Sequence, residues 1–474
     1  MMVGLRTSLA MKQKEVVEIQ KDDTEFNLLM ARYSILKAEP IHRYLLEALR
    51  VQAFEHGKKT EVHRLAYFSK PTFTLYLFNL RDRVYRISPD RTETVNNGTD
   101  GVLFLSDPKC KPFEIKPGAR ASSPLEEVLF SRINFSSDCL TVAQRKLTFR
   151  IWFFSLFFES LMPTKIINVL IGPKGSGKSF VLRVVGMLLF GESFNVTPVP
   201  EDRRDFDAAV SNSHYLVVDN ADSKCDWLPD RLATVATGGS IKRRDYYTTN
   251  KLVEFATHCF LAITSRTPHF RRDDVADRLL IHKVKRIDNF IAEAELLAEV
   301  INRRDDAMSE VVEELQRMVQ ALQESCGERM SFTHRMADFA SLAVRVSSPD
   351  HREEVKAILD LLSKEQSSFS LENEPIFDLL LEWAKENPGR EISNPNLCKE
   401  LATLAEKLEV PFPYKTVSEN TGQPEYQTKS FGHRMSLLRA NLERFFVIEK
   451  RSAGGHKTLY KYTPKPESDE GGEV

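Results

Sequence analysis

One stretch constrains this chain more than any other: the apolar run Ile166 to Ile171, the turn Gly172-Pro173-Lys174-Gly175-Ser176-Gly177, and the continuation from Lys178-Ser179 through Phe190. The β-branched run predicts a buried parallel strand, and the apolar residues that follow Ser179 fall on a broad helical face. Gly172, Gly175 and Gly177 let the backbone fold tightly and aim its N–H groups inward, while the helix start adds positive dipole character. The pattern Gly-x-x-x-x-Gly-Lys-Ser therefore predicts a phosphate-binding loop. Lys178 is placed to neutralise β- and γ-phosphates, and the Ser179 hydroxyl to complete the shell of a Mg²⁺.

Ser213-His-Tyr-Leu-Val-Val-Asp219-Asn220 reads as a second buried strand that delivers a carboxylate at its C-terminal edge. In an open α/β sheet the ligand lies beyond those edges, so Asp219 and Ser179 can share one magnesium ion. Asn220 follows where an acid would take a proton from the attacking water. An amide can orient that water but not deprotonate it, and Asp222 is the alternative. A third strand, from His258 to Thr264, ends in Thr264 and Ser265, which are placed to sense a γ-phosphate. Arg271, Arg272 and Arg278 follow as candidates for an arginine acting on a neighbouring subunit's nucleotide, and each can instead pair with Asp273, Asp274 or Asp277.

Between the second and third strands, Ser240 to Phe255 reads as two short strands around a polar turn. Lys242, Arg243 and Arg244 lie beside Tyr246 and Tyr247, a mixture suited to a single nucleic-acid strand: cations follow phosphates and rings stack on bases. A solvated basic hairpin, or arginines serving a neighbour's nucleotide, is the alternative. A length of 474 residues exceeds one ordinary core, and a net charge of −1 confines any nucleic-acid affinity to local patches. Six cysteines form no CxxC pair, which gives no sign of zinc or a disulfide framework. The most apolar window, 147–162, contains Arg150 and Glu159 and is too short for a membrane span, so it reads as a buried helix. No secretory leader is evident, and a cytoplasmic location is expected.

The order of these parts resembles the superfamily 3 AAA+ helicases, above all the primase-helicases and replication-initiator ATPases of phages, plasmids and mobile elements. The likeness covers roughly residues 120 to 345. It implies ATP and Mg²⁺ as cofactors, a homo-oligomeric ring, typically a hexamer, with ATP at subunit junctions, and hairpins that grip single-stranded DNA in a central channel. Two positions depart from the family pattern: Ser265 stands where asparagine is common, and Asn220 where many members have an acid.

The expected fold is an α/β P-loop NTPase of AAA+ type with a helical lid, an N-terminal α+β module and a C-terminal winged helix. Residues 1–23 read as a mobile arm, 24–118 as the N-terminal module, and 119–285 as the ATPase core. Residues 286–388 read as the lid and connecting helices, 389–465 as the winged helix and 466–474 as an acidic disordered tail. In the winged-helix segment a short helix, a second helix bearing Arg434 and Arg439, and a β wing bearing Lys457 fit duplex DNA, although such modules also contact proteins. The expected activity is that of an ATP-hydrolysing DNA helicase or translocase replicating a mobile element. The alternative is an oligomeric ATPase switch, for defence or regulated DNA binding, that does not unwind strands.

Overall fold

Five parallel strands lie in the spatial order Thr197–Pro198, Tyr215–Asp219, Phe260–Ser265, Ile167–Ile171, Leu279–Lys283. The structure, a computed structural model, describes residues 3–7, 14–19, 22, 24–57, 60–116, 118, 122–223, 225–244, 252–257, 259–266, 268, 270, 273–332, 335–371, 375–408, 410–417, 423–453 and 457–465. The three inner strands are almost unbroken apolar runs because both faces of a parallel sheet are covered. Register sets Thr264 beside Leu170 and Ser265 beside Ile171, so the polar ends of neighbouring strands finish together. We refer below to Ile167–Ile171 as the loop strand, Tyr215–Asp219 as the acidic strand and Phe260–Ser265 as the threonine strand.

The apolar window forms the helix Val142–Ser155, opened by a capping box in which Thr141 accepts from the Gln144 N–H and the Gln144 side chain accepts from the Thr141 N–H. Phe149, Trp152, Phe153 and Phe154 of this helix are buried. Arg145 is buried with them and donates to the Ile281 carbonyl at 3.0 Å and to Asp138. After Ser155 the chain leaves the helix through a 3-10 turn at Glu159–Leu161.

Toward the N-terminus, Val3–Thr7 and Lys14–Glu18 pair as an antiparallel hairpin where a mobile arm was expected. The helices Thr24–Arg32 and Pro40–His56 follow, the second opened by Pro40 at a position where its missing N–H costs nothing. Ala66–Ser69, Thr74–Phe78, Arg83–Ile87 and Thr92–Asn96 form a four-stranded antiparallel meander. Leu103–Phe104 pairs in parallel with Val62–His63 after a 3-10 turn at Thr99–Gly101.

Residues expected to form a separate lid instead share the core of the sheet. A single helix, Glu293–Glu324, buries Val300, Met308, Val311, Leu315 and Val319 in the same cluster as Phe78, Phe113, Trp152 and Leu188. Arg304 of this helix is buried and donates to the carbonyls of Leu188, Lys111 and Pro112 at 3.0, 2.8 and 3.1 Å. One apolar cluster thus runs from Leu65 to Leu362, and the anticipated boundaries at 118 and 285 fall inside it.

The second compact unit comprises Ser363–Val474 together with Arg271–Asp277. In it the helices Pro375–Glu386, Asn394–Lys407 and Thr428–Phe445 pack with a three-stranded antiparallel sheet ordered Glu391–Ile392, Lys457–Pro464, Phe446–Ala453. Trp383, Leu397, Leu401, Phe431, Leu438 and Phe446 form its core. A short two-stranded ladder, Lys415–Val417 with Pro424–Tyr426, lies between the last two helices in sequence and was not foreseen. The tail 466–474 lies outside the described residues.

Candidate functional site at the carboxyl edge of the sheet

The loop strand ends at Ile171, residues 172–177 turn, and the helix Lys178–Phe190 begins. Gly175 and Gly177 have φ of 78° and 74°, in the left-handed region that side-chain-bearing residues rarely adopt. Gly172 is required for a different reason: a Cβ there would stand 2.3 Å from the Val284 carbonyl oxygen. The Lys178 ammonium folds back on the turn, donating to the Gly172 carbonyl at 2.7 Å, the Pro173 carbonyl at 2.9 Å and the Ser176 hydroxyl at 3.2 Å. Burial pushes the Lys178 pKa down, against the opposing pull of Asp222 and Asp219. Ser176 is buried and donates to the Pro173 carbonyl, while Lys174 is exposed.

Asp219 receives three side-chain donors. The Ser179 and Thr264 hydroxyls each lie 2.5 Å from its Oδ1, and the Asn220 amide lies 3.0 Å from Oδ2. Thr264 also accepts from the Asn220 backbone N–H at 2.9 Å. Asn220 has φ 53°, left-handed and non-glycine, a conformation that Asn tolerates better than most residues. Parallel strands and matched ends thus bring Lys178, Ser179, Asp219, Asn220 and Thr264 to one place. Two hard oxygen donors, the Ser179 hydroxyl and the Asp219 carboxylate, face each other beside a glycine-rich turn. That donor set fits magnesium, and the backbone turn fits a polyphosphate.

Ser265 projects the other way from its strand, as alternation requires. Its buried hydroxyl donates to Asp222 at 2.9 Å rather than reaching Asp219. Asp222 also accepts from the Arg266 backbone N–H at 2.5 Å and from its Nε at 2.6 Å. The expectation that Ser265 senses the nucleotide directly therefore gives way to an indirect placement, and Asp222 is committed to Ser265 and Arg266 rather than facing Asp219. Sequence reading assigned Arg266 no role. An arginine directly after a strand-end serine was the available signal.

A strap missed from sequence lies over the turn. In this strap, residues 284–290, the part from 286 that was read as the start of the helical lid forms no helix: the Ile287 N–H donates to the Gly175 carbonyl at 3.0 Å, and the Lys285 N–H to the Asn134 carbonyl at 2.8 Å. A Cβ on Gly177 would lie 3.0 Å from Ile287, and one on Gly175 3.1 Å from the Phe290 ring. This close cover by side-chain tips adds to the left-handed backbone as a reason for glycine at both positions.

The remaining candidates are dispersed. Lys242, Arg243 and Arg244 lie in the strand Ser240–Arg244, which pairs with Leu252–Ala256, so the expected hairpin is present in the backbone. Tyr246, Tyr247, Arg271 and Arg272 lie outside the described residues. Arg278 is half-buried and its carbonyl accepts from the Ile167 N–H at 2.9 Å. In the second unit Arg434 and Arg439 are on the helix Thr428–Phe445, where Arg439 pairs with Glu443 one turn on at 2.7 Å. Lys457 opens the strand Lys457–Pro464 opposite Ala453. Among the described residues no helix is long and apolar enough to cross a membrane.

Comparison with known proteins gives one family and several distant structures. No curated protein matches the chain. The apo C-terminal region of NrS-1 is 12% identical, with 98% of this chain and 96% of that chain covered at a TM-score of 0.40. JCV helicase in complex with a thiazolopyridine acetamide is 11% identical, with 53% of this chain and 67% of that chain covered at a TM-score of 0.24. Residues 136–363, which carry the parallel sheet and every group around Asp219, match the model of a family described as the actinomycete integrative conjugative element replication protein. Over that span the chain is similar to a replication protein of a mobile element.

Proposed function

We propose that this chain is an ATP-driven DNA motor, a helicase or translocase of superfamily 3 type that serves replication of a mobile element. The observation that carries the reading is the junction of Ser179, Thr264 and Asp219 beside a turn whose lysine is buried against its own carbonyls. Bound Mg²⁺ would screen the polyphosphate charge and polarise the terminal phosphoryl group. Ser179 and Asp219 would hold that ion, and Lys178 would exchange the Gly172 and Pro173 carbonyls for phosphate oxygens. Thr264 keeps Asp219 oriented, and Asn220 orients water without accepting its proton. Arg271, Arg272 or Arg278 of an adjacent subunit would complete the site in a ring, of which a hexamer is the expected form. Lys242, Arg243 and Arg244, with Tyr246 and Tyr247, would contact single-stranded DNA. In the second unit a helix–helix–hairpin arrangement supports a winged helix in which Arg434, Arg439 and Lys457 approach duplex DNA.

A second reading, an assembly switch that binds ATP without unwinding, is favoured by one observation. The residue after Asp219 is an amide bonded to it, and the nearby carboxylate of Asp222 is held by Ser265 and Arg266. Hydrolysis on the motor reading is accordingly slow. The test is native mass measurement with and without Mg²⁺-ATP, joined to phosphate release and strand displacement for the wild type and Lys178→Ala. Rings, turnover and displacement that vanish in Lys178→Ala support the motor. Rings without displacement support the switch, and turnover unchanged in Lys178→Ala would refute both.

A further inference from the structure

The N-terminal meander carries a cleft of about 570 Å³ on one face, far from the carboxyl edge of the parallel sheet in sequence and built from other residues. Its size lies within the range of roughly 300–1,000 Å³ typical of small-ligand sites. Strand register aligns one row across all four strands: Tyr67 opposite Tyr76, Tyr76 opposite Arg86, and Arg86 opposite Glu93. At one end the His63 ring stacks on Tyr67 with centroids 4.4 Å apart and planes 22° apart. At the other end Arg86 is fixed between Glu93 at 2.5 Å and Asp100 at 3.1 Å, and the Tyr76 hydroxyl donates to Asp100 at 2.7 Å. Arg91 pairs with Glu93 at the rim and remains largely exposed.

These features restrict the ligand. The cations of the floor are already neutralised by carboxylates, so a free phosphate gains little there. What the floor offers is a fixed array of acceptors and donors, from Asp100, Glu93 and Arg86, next to a wall of stacked rings. A planar heteroaromatic group with amino and carbonyl edges matches both, since carboxylates accept from exocyclic amines, arginine donates to ring nitrogens and carbonyls, and aromatic side chains stack on the base plane. Arg91 at the rim suits a phosphate of the backbone that would run outside. We propose that this cleft is a base-reading site for single-stranded nucleic acid, in which one unstacked base packs on Tyr67 and His63 and presents its edge to Asp100, Glu93 and Arg86. The site does not depend on the motor reading, because none of its residues touches the groups around Asp219.

The experiment uses the full chain, without nucleotide and with Lys242, Arg243 and Arg244 changed to Ala so that the other basic hairpin is silent. A single-stranded oligonucleotide carrying 5-iododeoxyuridine is photocrosslinked and the attachment site mapped by peptide mass. Affinity is measured in parallel for that strand and for one with abasic positions. Crosslinks to His63 or Tyr67 are expected. Tyr67→Ala should weaken the base-bearing strand roughly tenfold, as loss of one stacking contact of about 1–3 kcal/mol implies, while leaving the abasic strand unchanged. Tyr67→Phe, which keeps the ring, should bind as the wild type does and controls for folding. Crosslinks confined to other parts of the chain, or equal losses for the two strands, would overturn the assignment. So would capture of a basic peptide with no capture of the oligonucleotide, the outcome expected if the carboxylates rather than the rings choose the ligand.

Discussion

Replacing Thr264 by Val isolates the hydrogen bonds that hold the acidic strand to its neighbour, because valine keeps the branched shape and removes only the hydroxyl. That hydroxyl is fully buried, donates to Asp219 at 2.5 Å and accepts from the Asn220 N–H at 2.9 Å. A hydrogen bond to an ionised group contributes about 1.5–3 kcal/mol, and an N–H left unpaired costs about 1–3 kcal/mol when buried. Asn220 is exposed, so water replaces most of the second interaction. The expected loss is therefore about 3 kcal/mol, or a fall of roughly 5 °C in the melting temperature of a unit this large. Differential scanning calorimetry is the assay, with unfolding of the two units resolved as separate transitions. Thr264→Ser keeps the hydroxyl and loses a methyl group, and should lie closer to the wild type. If Thr264→Val melts with the wild type while Thr264→Ser falls, packing rather than the carboxylate bridge holds this edge, and Thr264 loses its place in the site.

Two further outcomes are expected. Gly172→Ala should destabilise the loop by about 1–3 kcal/mol and abolish nucleotide-induced stabilisation, because the new methyl group meets the Val284 carbonyl oxygen at 2.3 Å; wild-type melting and ligand response would refute it. His214 and His282 are buried, and burial depresses both below their ordinary pKa of 6.5. The unfolded rings take up protons below about 6.5 that the native rings refuse, so stability is complete above that pH and falls as pH drops, by up to about 1.4 kcal/mol per pH unit for each ring. His282→Phe, placed among Phe135 and Phe149, should flatten the slope seen in chemical unfolding between pH 5 and 7; an unaltered slope would assign it to other groups.

The parallel strands were legible because burial on both faces leaves an apolar run that little else produces. The turn was legible because Gly175 and Gly177 advertise left-handed backbone. Side-chain direction was not. Thr264 and Ser265 are adjacent and both polar, and only the pleat decides that one hydroxyl meets Asp219 while the other meets Asp222. The long helix Glu293–Glu324 misled for a related reason. Its charges are visible in sequence, whereas the breadth of its buried face depends on what it packs against, including Phe113 and the helix Lys178–Phe190. The strap at 284–290 was hidden because a close backbone approach leaves its trace on the glycines it crosses and not on itself.

The loop strand is fourth of the five in its sheet and paired on both sides, yet both its partners come much later in the chain, at Phe260–Ser265 and Leu279–Lys283. During synthesis the segment through Ile171 emerges with two unpaired edges and waits for them. Long-range pairing of this kind is slow and leaves apolar strands open to self-association. Any fragment cut before Lys283 therefore keeps the glycine-rich signature in its sequence but lacks the neighbours that shape it, and expression boundaries belong beyond Leu362, where the shared core ends.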